Sequence, residues 1–352
     1  MGENTIFIGG SFGDDATANS APFDVRYLYL AGGIVDDASC HAGCSDACGE
    51  WWGCWQYYGD PPGQYVLGLI NKAESATWQG NARPQIPMIT YYEQLQTSSL
   101  PEGSDQVAAL NVVRDLKLYF DDWRFMLQTI DDRSVWLHIE PDLWGYVRAI
   151  DENPHLVPAK VTESNPQDCG DEEDSAAGVA RCMIKMVRTY APNAKVGLHA
   201  SAWLIGMDGD GVATGEFMNA LGAATGDFIV TDPSDRDAGY YEQVLGQDRW
   251  WDDAGARRFL DWSRDLAETT CLPLVMWQIP LGNMTLNNTE NHYQDNRLDW
   301  LFANMDLVAA SHTIALLFGA GQGEQTTPET DGGNFIDKTI AYRASGGVSM
   351  CP

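Results

Sequence analysis

Positive charge is what this chain lacks most. Its 352 residues hold 21 Lys plus Arg against 50 Asp plus Glu, a formal net charge of −29. So acidic a surface repels phosphate backbones and anionic lipid, which excludes nucleic acid and membrane surfaces as partners. Long apolar runs are missing too, and none approaches the length of a membrane span. No G-x-G-x-x-G opens a helix directly after a first strand, which argues against a nicotinamide cofactor. Met1-Gly2-Glu3 has neither the basic nor the apolar region of a signal peptide, as expected of a chain whose leader has been removed.

What the chain does contain suits a large globular domain. At 44% hydrophobic it can bury a full core. Eight cysteines, an even count, fit an oxidising compartment and a secreted protein. Cys40, Cys44, Cys48 and Cys54 crowd one stretch, while Cys169, Cys182, Cys271 and Cys351 are dispersed. The clustered four lack the paired C-x2-C knuckles of common zinc modules, so disulfides stapling a long loop are favoured over a metal site.

Along the chain, strand patterns alternate with helix patterns. Apolar strand-like runs lie at residues 5–10, 25–34, 87–93, 134–140, 195–203, 227–232, 274–279 and 313–318. Helical spacing covers 65–73, 104–130, 175–190, 215–224, 253–269, 295–310 and 335–342. Residues 35–64 form a long Cys-, Gly- and aromatic-rich connection, of a length usually functional in a compact domain. Strands alternating with helices imply parallel strands and right-handed crossovers. Seven or eight such units in one chain point to a single α/β domain over residues 1–352, a distorted (β/α) barrel of the TIM type.

In such barrels the site lies at the C-terminal strand ends. The sharpest of these ends is SVWLHIEPDLWGYV, residues 134–147. Val135, Leu137 and Ile139 alternate with Trp136 and His138, and Pro141 cannot continue a sheet ladder. Glu140 and Asp142 therefore fall at the strand's end beside Trp144. Paired carboxyls next to an indole suit glycosidic chemistry, in which one acid protonates the leaving oxygen and an aromatic face packs on the sugar. On the residues alone Glu140 is the preferred acid, and a plain acidic turn at a helix start competes with that reading. The other strand ends supply Tyr92 and Glu93, His199 and Trp203, Asp232, Trp277 and Gln278, and Glu324. Trp51, Trp52 and Trp55, in the long connection, are further sugar platforms.

VWLHIEPDLWGYV resembles the I-E-P-D strand end of the family 6 glycoside hydrolases, the inverting cellulases and cellobiohydrolases. KVGLHASAWLIG, after the next helix, is similar to a later strand of that family, and FGAGQGEQT faintly to its last loop. The resemblance implies that Asp142 is the proton donor, Glu140 a buried support and Trp203 a cleft residue. This chain departs from the family elsewhere. PMITYYEQL offers only Glu93 where the family has a supporting aspartate, DPSDRDAG echoes that loop after a different strand, and Thr326 stands at the place of the proposed base. Asp232, Glu324 and Glu93 all remain candidates for the base.

Blander readings hold for other residues. His138 and His199 suit satisfied core histidines, Asp208 and Asp210 a solvated turn, and Trp123, Trp262 and Trp300 the helical core. The expectation is a secreted, monomeric glycoside hydrolase acting on a neutral polysaccharide or oligosaccharide, β-glucan foremost. No organic cofactor is needed, and a structural Ca²⁺ is compatible with the charge. A non-catalytic glycan-binding barrel and a metal-dependent hydrolase using the Asp-rich strand ends are the rivals.

Overall fold

The computed structural model describes residues 4–31, 34, 63–94, 97, 100–202 and 210–350. Eight parallel strands close into a barrel: β1 (Phe7–Gly10), β2 (Val25–Leu30), β3 (Ile86–Tyr91), β4 (Trp136–Ile139), β5 (Lys195–His199), β6 (Phe228–Thr231), β7 (Leu274–Ile279) and β8 (Thr313–Phe318). Each pairs with its sequence neighbours, and β8 closes on β1 through Phe7↔Ala315 and Gly10↔Phe318. All eight strand patterns read in the sequence are present.

Both faces of these strands are buried, as parallel strands under a helical coat require. One face packs outward on the helices. The other fills the barrel, where Tyr27, Met88, Trp136, Phe228, Val275, Trp277 and Leu317 belong to one interior cluster. Phe7, Trp136 and Phe228 make contiguous ring contacts, with centroids 5.8 Å and 5.4 Å apart. Trp277 meets Tyr29 at 5.4 Å and His138 at 4.7 Å. The barrel is thus a packed core, and its side-chain layers lead up to the strand ends.

The helices used below are α1 (Gln64–Glu74), α2 (Val113–Ile130), α3 (Leu143–Ile150), α4 (Ala176–Tyr190), α5 (Gly211–Leu221), α6 (Ala238–Leu245), α7 (Asp253–Thr270), α8 (Arg297–Ala303), α9 (Met305–Ala310) and α10 (Asn334–Ala344). Two expected helices are interrupted. The 104–130 segment breaks at Val112, which is extended (φ −107°, ψ 107°), because the Leu110 carbonyl accepts from Lys160 N instead of continuing the helix. The 295–310 segment breaks at Asn304, whose side chain donates to the Trp300 carbonyl. α5 starts earlier than expected because Asp210 caps it, accepting from Val212 N at 2.9 Å and Ala213 N at 3.1 Å. Asp210 is thus the helix N-cap within the expected turn.

Cys169 and Cys182 form a disulfide, while Cys271 is free and exposed. The bridge ties the short helix Pro166–Cys169 to α4 across a sequence separation of 13. Closing a loop of that size restricts the unfolded chain by about 3 kcal/mol. Replacing both cysteines by serine is expected to lower unfolding free energy by about that much in urea titration. An unchanged midpoint would mean that the bridge adds nothing. The clustered cysteines and Cys351 lie outside the described residues.

Candidate active site

The end of β4 is built from three local features. Pro141 stops the ladder, and the carbonyl of Ile139, left over at the strand end, accepts from the Trp144 indole at 3.1 Å. Glu140 takes a left-handed backbone (φ 50°), a strained conformation for a residue with a side chain and one that clusters at functional sites. The turn sends the Glu140 side chain inward, where it is fully buried and accepts from Glu93 N and Gln94 N, each at 3.1 Å. Burial pushes its carboxyl up to about 8 against those two donors, so the group is neutral at pH 7.

Asp142 emerges on the other side of the turn. It occupies the N-cap position of α3, yet its side chain makes no cap hydrogen bond. Its Oδ2 instead accepts from the Tyr92 phenol at 3.0 Å, and the residue lines the cleft. Burial pushes its carboxyl up to about 6, and the Asp232 charge adds to the rise. A carboxylic acid that holds its proton near neutrality at the mouth of a cleft can act as a general acid.

Asp232 follows β6 and lines the same cleft. Its Oδ1 stands 2.9 Å from His199 Nε2, whose Nδ1 stands 3.0 Å from His138 Nε2. His138 Nδ1 in turn lies 3.1 Å from the Thr90 hydroxyl. Burial holds the His138 imidazole well below its usual range, so it is neutral. Both histidines are core residues, as their strand positions suggested, and one of them reaches a cleft carboxylate.

The cleft measures about 1270 Å³. Gln278 lies on its floor, also left-handed (φ 54°), and accepts from the Tyr29 phenol at 2.9 Å. Gly321, in the loop after β8, is held to glycine by a close backbone approach, since a Cβ there would come within 2.6 Å of the Asp235 carbonyl as well as against the Gln278 amide. Tyr146, Trp250 and Arg249 complete an aromatic and charged wall. Sequence reasoning missed Tyr29, Tyr146 and Trp250. Tyr29 could have been found from its two-residue step after Tyr27 on β2, and Trp250 from the Trp-Trp pair in a polar loop.

The expected site residues divide. Asp142, Asp232, Tyr92, His199, Trp277 and Gln278 line the cleft. Glu140 and Glu93 are buried beside it and do not line it, while Glu324 is exposed and is not among the lining residues. Trp144 corrects one expectation. It is 1% exposed and packed in the helix–barrel core, because its indole is needed to satisfy the Ile139 carbonyl, so it offers no sugar platform. Trp277 is enclosed as well, and only an edge reaches the cleft. Trp51, Trp52, Trp55 and Trp203 lie outside the described residues. Among the described residues no group of three or more His, Cys, Asp or Glu side chains is placed to hold a metal ion.

No protein-family model matches the chain. A search of curated proteins likewise returns no match. Solved structures do match. A modular endo-β-1,4-mannanase of glycoside hydrolase family 26 from Cellulomonas fimi superposes with a TM-score of 0.57 at 11% identity, over 99% of this chain and 74% of that one. A family 5 xyloglucan-specific β-1,4-glucanase from a ruminal metagenomic library gives 0.57 at 8% identity, over 98% and 96%. A Bacteroidetes-affiliated family 5 cellulase gives 0.56 at 10%, over 98% and 92%. The chain shares their barrel fold. These neighbours belong to families 26 and 5, so the resemblance to glycoside hydrolases holds at the level of fold and does not single out family 6.

Proposed function

We propose that the protein is a secreted glycoside hydrolase that cleaves a neutral polysaccharide, a β-glucan foremost, with inversion at the anomeric carbon. The observation that carries this reading is Asp142, a carboxylic acid held near pH 6 at a barrel strand end, in one aromatic cleft with Asp232. Asp142 donates its proton to the glycosidic oxygen as the bond to the anomeric carbon breaks. Asp232 takes a proton from the water that attacks that carbon, so both carboxyls end with their charges exchanged. Tyr92 orients the acid, and Glu140 supports the loop from beneath. The disulfide suits an oxidising compartment. Among the described residues no helix is long and apolar enough to cross a membrane.

The test is hydrolysis of β-1,4-, β-1,3- and mixed-linkage glucans, xylan, mannan and chitosan, with proton NMR of the first product formed. New reducing ends with the anomer opposite to that of the substrate are expected. The same anomer would replace inversion by a retaining pair, whose carboxyls stand about 5–5.5 Å apart rather than about 6.5–9.5 Å. No reducing ends on any polymer would overturn the hydrolase reading and leave a glycan-binding barrel.

A further inference from the structure

We infer that Thr90, His138 and His199 form a one-way file of hydrogen bonds that fixes the Asp232 carboxylate in the cleft, which makes them positioning residues for the general base. The inference rests on the base role proposed for Asp232. Its direction follows from one hydroxyl. Thr90 is fully buried on β3, and among the described residues its hydroxyl meets only His138 Nδ1, at 3.1 Å. Were Nδ1 protonated, it would donate to Oγ1 and the hydroxyl proton would be left buried without an acceptor, which is costly away from water.

The hydroxyl therefore donates, and His138 carries its proton on Nε2. That N–H donates to His199 Nδ1 at 3.0 Å, so His199 in turn carries its proton on Nε2 and donates to Asp232 Oδ1 at 2.9 Å. Every donor in the file points at the carboxylate and fixes its Oδ1 in the cleft. The rings have no room to turn over. His138 and His199 are 0% and 1% exposed, and Trp277 meets both edge-on at 4.7 Å and 5.8 Å. The charged and titratable groups near this end of the file are Asp142 and the half-buried Tyr29 phenol. Asp232 takes its donor from the file while Asp142 takes its own from Tyr92, so the two carboxyls are held by different partners.

The test compares wild type, Thr90→Val and Thr90→Ser. Valine keeps the shape and removes the donor; serine keeps the donor. Nitrogen-15 NMR of histidine-labelled protein is expected to show both rings as Nε2–H tautomers in wild type and in Thr90→Ser, and mixed tautomers in Thr90→Val. The kcat is expected to fall about five- to ten-fold in Thr90→Val alone while KM stays unchanged, since Asp232 is then less firmly held. A His138 ring protonated on Nδ1 in wild type, or a Thr90→Val variant with unchanged tautomers and kcat, would overturn the inference. If wild type hydrolyses no glycan, the hydrolase reading falls, while the ring tautomers still decide the file.

Discussion

Asp142→Asn lowers kcat on a polysaccharide by about 10²–10⁴-fold, the size expected for removing a positioned general acid. The amide keeps the shape of the side chain and can still accept from Tyr92, so oligosaccharide affinity and melting temperature should stay near wild type. The wild-type kcat/KM should fall as pH rises through about 6, because the carboxyl must carry its proton before it can give it away. Asparagine has no such proton, so this alkaline limb should vanish from whatever activity remains. A second readout separates acid catalysis from simple damage. An aryl glycoside with an acidic phenol leaves without protonation, and on it the variant should recover most of its rate. Equal losses on polymer and aryl glycoside would reject Asp142 as the acid.

The barrel was legible because its signal is repeated eight times. Each strand run is short and buried on both faces, and each is followed by a helical pattern, so an error in one element would not have changed the topology. The acidic end of β4 was legible for a local reason, since Pro141 marks where the ladder must stop. What escaped depends on contacts between elements. The helix break at Val112 is caused by Lys160, far along the chain, taking the Leu110 carbonyl. Trp144 carries the same residue type as a sugar platform, and only the position of its indole against Ile139 shows that it belongs to the core. His138 and His199 occupy inward strand positions, where satisfied histidines are expected, and nothing in a single sequence indicates that their rings meet each other and Asp232. The choice among Asp232, Glu324 and Glu93 as base was open for that reason. Of the three, Asp232 lines the cleft with Asp142, whereas Glu93 is buried and Glu324 is exposed outside the lining.

Glu140→Gln decides between the two carboxyls of the turn, because its consequences run opposite to those at Asp142. If Glu140 is a support, the glutamine variant should keep activity within about ten-fold, since its carbonyl can still accept from Glu93 N and Gln94 N. Its stability should change far more. The folded carboxyl titrates at about 8 against an ordinary value of 4.5, so between those pH values the native state holds a proton that the unfolded chain releases. The contribution is fully present below about pH 4.5 and is lost as pH rises through 8, at about 1.4 kcal/mol per pH unit. Glutamine does not titrate. The difference in unfolding free energy between variant and wild type should therefore grow in the variant's favour by roughly 4 kcal/mol from pH 4.5 to pH 8.5. Other buried acids, Asp142 and Asp237 among them, titrate in both proteins and largely cancel in the difference. Denaturant titrations at the two pH values measure it directly. Parallel pH dependences would show that Glu140 is already ionised in the folded protein, and a lost rate in the same variant would return the acid role to Glu140.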